Sequence, residues 1–200
     1  MRRLIRTGLV AMGALALAQH AGAQALGPQR QFLAIEPYYE RGTFDVGENI
    51  SKRNTNGYGA RLWINLDPFH FIPNGSIALY GSYSPRQSDA GTGDLSTRTF
   101  GAEYDQYLVR RPLGGIIDPF LTVGYSRVKL KGYSTAGTLV SSRWFNGLPV
   151  GGGVRIPFPN RFELRGDVKD LILFNTRTGT AGASRTTNNL LLQAALGITF

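Results

Sequence analysis

The sequence predicts an all-β protein, an antiparallel up-and-down transmembrane β-barrel of eight strands preceded by a cleavable signal peptide. Three observations carry that expectation. The N-terminus reads as an export address. Apolar and polar residues alternate with period two along most of the remaining chain. The alternation recurs in eight segments, each long enough to cross a bilayer.

Arg2, Arg3 and Arg6 form a basic start, and Gly8 to Ala18 form a short apolar stretch. A helix crossing a bilayer needs about 20 apolar residues, so this stretch is expected to direct export and then be removed. Two small-x-small sites fit a signal peptidase: Ala21-Gly22-Ala23 before Gln24, and Ala23-Gln24-Ala25 before Leu26. Taking the second, residues 1–25 are the signal peptide and 26–200 the barrel domain. Removing the signal deletes three arginines and no acids, which lowers the formal charge from +9 to +6. That is moderately basic and does not suggest a nucleic-acid partner. The chain has no cysteine, which excludes a disulfide scaffold, a thiolate metal site and a cysteine nucleophile.

The alternation places the eight strands at Gln31 to Phe44, Gly57 to Asn65, Ser76 to Arg86, Ser96 to Leu108, Asp118 to Leu130, Arg143 to Ile156, Arg161 to Phe174, and Asn188 to Phe200. A tilted strand needs roughly 9 to 11 residues to cross hydrocarbon, whereas ordinary strands run to about five or six. The seventh segment is the sharpest: Phe162, Leu164, Gly166 and Val168 alternate with Glu163, Arg165, Asp167 and Lys169. In the last, Leu190, Leu192, Ala194, Leu196, Ile198 and Phe200 share a face, with Leu191 the one exception.

The connections form two alternating sets. Asp45 to Asn56, Gln87 to Leu95, Lys131 to Ser142 and Asn175 to Thr187 are the longer, polar ones. Leu66 to Gly75, Val109 to Ile117 and Pro157 to Asn160 are shorter and carry Pro or Gly. Long outer loops, short inner turns and an even strand count place both termini on the periplasmic side. Glycines 151 to 153 lack a following Lys-Ser/Thr and a helix, so they are expected to mark strand bending and not a nucleotide loop.

A soluble barrel would show the same alternation with the apolar face turned inward. Aromatic residues near strand ends favour lipid. Phe69, Phe71, Tyr107, Phe120, Phe158, Phe162 and Phe200 lie toward the turns, and Tyr39, Tyr58, Tyr83, Tyr125, Trp144 and Phe174 toward the loops, as two interfacial girdles would. The alternation also runs to the last residue, where a soluble strand would usually fray.

At that terminus Gln193, Ala195, Ile198 and Phe200 resemble the C-terminal signal of outer-membrane barrels, polar-x-Gly-x-x-apolar-x-aromatic, with Ala195 in place of the usual glycine. The stretches Pro119 to Tyr125, Val150 to Arg155 and Leu164 to Asp170 are similar to strands of the OmpA-like outer-membrane β-barrel superfamily. The resemblance implies a bacterial outer-membrane location and contact with the barrel-assembly machinery during biogenesis. It also implies a small eight-stranded barrel, and because nothing is expected after Phe200 the member expected is one with no peptidoglycan-binding domain.

If the charged face points inward, Glu36, Arg61, Glu103, Asp105, Arg155, Glu163, Arg165, Asp167 and Lys169 line the lumen. An eight-stranded interior is about wide enough to be filled by side chains, so acids and bases there should pair. The expected function is non-enzymatic: a structural anchor for the envelope with surface loops for interaction. A narrow pore or a path for small apolar solutes is the alternative, and a lipid-modifying enzyme a remoter one. Beyond the signal there is one histidine, His70, in an expected turn, which leaves little for a catalytic triad. No catalytic residue, metal ligand or cofactor is assigned. Outer-membrane lipid is the expected partner. Lipopolysaccharide is a further candidate, because Lys52, Arg53, Arg86, Lys129, Lys131, Arg143, Arg177 and Arg185 sit at the loop end.

Overall fold

A computed structural model describes residues 32–45, 53–66, 72, 74–89, 93–108, 117–158, 161–178 and 183–200. The expected signal peptide, residues 1–25, lies outside them, as do Phe69, His70, Phe71 and Lys52. Eight strands run β1 (Leu33–Phe44), β2 (Arg53–Asn65), β3 (Gly75–Asp89), β4 (Gly93–Tyr107), β5 (Asp118–Tyr133), β6 (Leu139–Pro157), β7 (Phe162–Thr178) and β8 (Ala183–Thr199). Each pairs antiparallel with its chain neighbours, and β8 pairs with β1 to close the barrel. Closure leaves no unpaired sheet edge, the condition for a sheet to sit in lipid.

The strands are longer at the loop end than composition suggests. β2 begins at Arg53 and not Gly57, and β5 and β6 continue to Tyr133 and from Leu139. The expected loop of Lys131 to Ser142 therefore shrinks to the turn at Ser134 to Thr138. Ser134 N–H donates to Thr138 O at 2.8 Å, and Gly137 takes a φ of 84° that suits glycine. Similarly Asp89 pairs with Gly93 and Thr178 with Ala183. Gly, Asn and Lys read as loop because they are poor strand formers. Pairing nonetheless continues, since each partner strand supplies the ladder hydrogen bonds.

Prolines mark three of the interruptions, while the shifts at Gly132/Tyr133 and Leu173/Thr176 contain none. The bulge between Ser84 and Gln87 contains Pro85, and the β1–β8 and β5–β6 ladders each lapse beside a proline, Pro37 and Pro149. Proline has no N–H to give a ladder. Glycines 151 to 153 keep register with both neighbours. They serve close approach: a Cβ on Gly151 would stand 2.1 Å from the Val168 carbonyl oxygen, and one on Gly153 2.1 Å from that of Gly166.

Alternation sorts the side chains. Outward stand Ile35, Leu62, Leu79, Val168, Leu196 and Ile198, all exposed and apolar; inward stand charges, hydroxyls and a few large rings. The lumen is layered. At the outer end Phe44, Leu95, Val128, Leu130, Leu171, Leu173 and Leu191 pack into one apolar cluster. Leu191, the exception to alternation in the last segment, is thereby accounted for: it faces the lumen and fills that cluster. At the turn end Trp63 packs with Ala34 and Ala78. The charged band lies between.

Candidate functional site: the lumen and the outer rim

All nine residues assigned to the inner face are buried, and the band is built on strand parity. Arg61 of β2 is central. Its guanidinium meets Glu36 of β1 at 2.9 Å, Glu103 of β4 at 2.9 Å and Asp167 of β7 at 2.8 Å, and donates to Gln193 Oε1 of β8 at 2.8 Å. Arg165 meets Asp105 at 2.7 Å and Asp167 at 2.8 Å, and Lys169 meets Glu103 at 2.7 Å. Asp167 and Glu103 thus each bridge Arg61, Arg165 and Lys169. A guanidinium presents five donors in a planar fork, which lets one side chain join four strands.

A second cluster lies toward the turns. Arg155 is held 3.2 Å from both Asp118 and Glu163, with its guanidinium over the rings of Trp63 and Tyr107. Arg165 sits over Phe120, 4.1 Å from the ring centre. Cations stacked on ring faces in a buried interior keep some of the stabilisation lost with solvent exposure.

Several lumen residues go beyond the expected set. Glu40 and Asp118 are buried carboxylates on the inward parity of β1 and β5, and Trp63 donates its indole N–H to Glu36 at 2.8 Å. Extending the inward parity of Glu36 along β1 would have found Glu40. Its hydrogen-bond donors are neutral, Gln193 Nε2 at 2.6 Å and Ser82 Oγ at 3.2 Å. Gln193, assigned on sequence to a terminal signal, is a lumen residue in its packing, with Ala195 beside it on the same face; Ile198 and Phe200 point outward.

Two girdle assignments are corrected. Tyr107 and Phe120 are buried in the lumen, ring centres 5.6 Å apart, and not at the lipid surface. They share the inward parity of Asp105 and Asp118, and position near a strand end does not reveal parity. Arg53 is corrected likewise: it is buried at the lumen mouth and not displayed on a loop. Tyr39, Tyr58, Tyr125 and Trp144 are exposed at the outer end, and Phe158, Phe162 and Phe200 at the turn end. Arg86 pairs with Asp94. Lys129, Lys131 and Arg143 belong to paired strands, as do Arg177 and Arg185. Among the described residues no group of three His, Cys, Asp or Glu is placed to hold a metal ion.

A closed eight-stranded barrel, apolar outside and charged within, defines the class: a small barrel that crosses a membrane by strands. The chain belongs to the outer membrane protein β-barrel domain family, whose model matches residues 7–200, and its place is the bacterial outer membrane. Solved structures agree on the fold. Neisserial surface protein A superposes with a TM-score of 0.64 at 12% identity, over 84% of this chain and 97% of that one. Ail of Yersinia pestis, in complex with the heparin analogue sucrose octasulfate, gives 0.50 at 16%, over 86% and 98%. The N-terminal β-barrel domain of Pseudomonas aeruginosa OprF gives 0.50 at 12%, over 86% and 100%. No curated protein matches the sequence.

Proposed function

We propose that this is a non-enzymatic structural barrel. It anchors in the outer membrane, contributes to envelope integrity, and presents its outer hairpins for surface interaction, with a lumen closed to solutes. The observation that carries this reading is the filled interior. An ion needs a continuous wet path, yet the charged band is capped on the outer side by the apolar cluster around Leu173, and toward the turns the paired Arg155 fills the space against the Trp63 and Tyr107 rings. Moving a charge through such layers without compensation is costly. Breaking one buried pair to admit an ion costs about 3–5 kcal/mol.

Planar-bilayer recording of the refolded protein tests this directly. Silent bilayers across applied voltage are expected, and discrete single-channel steps would replace the anchor with a pore. The non-enzymatic part is tested on labelled lipid A and phospholipid, both expected unchanged after incubation.

For biogenesis, residues 1–25 act as the export signal, and the outward Ile198 and Phe200 carry the terminal signal read by the barrel-assembly machinery. Gln193 and Ala195 supply the inward half of that strand. Exposure of the aromatic terminus beside the β1–β8 seam supports this, since Phe200 N–H donates to Leu33 O at 2.8 Å where the barrel closes.

A further inference from the structure

One row of paired residues crosses the outer surface on six neighbouring strands: Tyr39, Tyr58, Tyr83, Arg98, Lys129 and Trp144. Three tyrosines are followed by two cations set directly opposite each other, then by a tryptophan. Like charges in register on adjacent strands repel, an arrangement sheets normally avoid. Arg127 and Lys131 flank Lys129 on the same outward face of β5, so four cations share one patch. Among the described residues none of the four has an acid within ion-pair distance. Asp94, on the same face of β4, is engaged by Arg86.

The patch is held by rings. Arg98 lies over Tyr83 at 5.3 Å, and Arg127 and Lys129 lie over Trp144 at 5.6 and 5.3 Å. Phe100 packs edge-on against Trp144 at 5.5 Å. Both rings are about half exposed, and on β5 the outward side chains turn from Leu121, Val123 and Tyr125 to Arg127 and beyond. Cations thus stand at the outer end of an apolar, lipid-facing wall.

We infer that the outward face of β4 and β5 binds the phosphorylated headgroup of an outer-leaflet glycolipid of the lipid A class. Arg98, Arg127, Lys129 and Lys131 take the phosphates, and Phe100 and Trp144 receive the sugar and upper acyl chains. A phosphate monoester carries about −1.5 to −2 charge and three acceptor oxygens, so two of them supply the counter-charge the patch lacks. Acyl chains then run along the wall over Tyr125 and Val123. This deepens the envelope role proposed above and rests on it. Channel recording reports on the lumen alone and lipid retention on the outer wall, so failure of the one is distinguishable from failure of the other.

The test is native mass spectrometry of the full chain refolded in non-ionic detergent, with heat-modifiable gel migration as the folding control. Four probes are compared: bisphosphorylated lipid A, the same lipid with its phosphates removed, phosphatidylglycerol, and inorganic phosphate. Bisphosphorylated lipid A should be retained at least about tenfold better than the dephosphorylated form. The double variant Arg98→Gln/Lys129→Gln should lose about tenfold, while Arg41→Gln, on the outward face of β1 outside the patch, should lose nothing. Arg98→Lys should keep most of the binding. If the double variant does not fold, Arg127→Gln carries the test with about a threefold loss. Equal retention of dephosphorylated lipid A, or undiminished binding by the folded variant, overturns the inference. So does equal affinity for phosphatidylglycerol, which would make the patch a general anionic-lipid surface, or displacement of lipid A by equimolar inorganic phosphate.

Discussion

Arg61 of β2 reaches across the lumen to Asp167 of β7, Nη2 to Oδ2 at 2.8 Å, joining strands that are not neighbours in the sheet. Closing the barrel by hydrogen bonds around its wall would not by itself prevent flattening. Pairs that span the interior tie opposite walls and hold the cross-section. The same guanidinium also touches Glu36 and Glu103, so its removal would leave three buried acids short of a counter-charge.

Arg61→Met is therefore expected to destabilise the folded barrel by about 3–5 kcal/mol, the usual cost of orphaning a buried charge. Equilibrium urea unfolding in lipid vesicles measures it. A loss under about 1 kcal/mol would mean that water already solvates the network.

Glu103→Gln and Glu40→Gln should separate. Glu103 neutralises Lys169 and Arg61, so its amide variant should cost about 3 kcal/mol. Glu40 receives only neutral donors from Gln193 and Ser82, and exchanging it for an amide should cost about 1 kcal/mol or less. Equal losses in urea unfolding would show that the two carboxylates are held in the same way.

The apolar cap makes a packing prediction. Leu173 is wholly buried among Phe44, Leu171 and Leu191, and Leu173→Ala should cost about 2–5 kcal/mol. The same substitution at outward Leu196 should cost much less, because detergent or lipid fills the space. Paired unfolding curves decide it, and equal effects would place both side chains in the same environment.

Glycine sites differ in the same measurable way. Gly151→Ala drives a Cβ into the backbone of β7, whereas Gly166→Ala meets nothing within 4 Å. The first should sharply lower the folded fraction on a heat-shift gel and the second leave it unchanged. A fully folded Gly151 variant would show that β6 and β7 can move apart without loss.

Phe200→Ser bears on assembly. The side chain is outward at the seam, so the folded barrel should lose only about 1 kcal/mol once refolded in vitro. In cells the membrane-inserted yield should fall several-fold. Proportionate losses in both assays would make Phe200 a packing residue alone.

Much of this was legible in the chain because a barrel strand has a period of two, and parity is local. Glu163 to Lys169 declares its two faces without reference to any other segment, and the terminal run to Phe200 does the same. What local pattern cannot carry is height and partner. Tyr107 and Phe120 carry the inward parity of Asp105 and Asp118, but only the stagger shows that they stand beneath Arg155 and Arg165 and not at a lipid interface. Leu191 looks like a flaw until closure sets it beside Phe44 and Leu173.

By itself the sequence determined the class, the strand number and that nine charged side chains from Glu36 to Lys169 turn inward, since burial in lipid and alternation leave those charges one consistent face. The tertiary structure alone decided that Arg61 meets Asp167, that Phe44, Leu173 and Leu191 pack together at the outer end of the lumen, and that Arg98 stands opposite Lys129 on the outer wall. Those relationships depend on the stagger between strands, and stagger is set by the closure of all eight together.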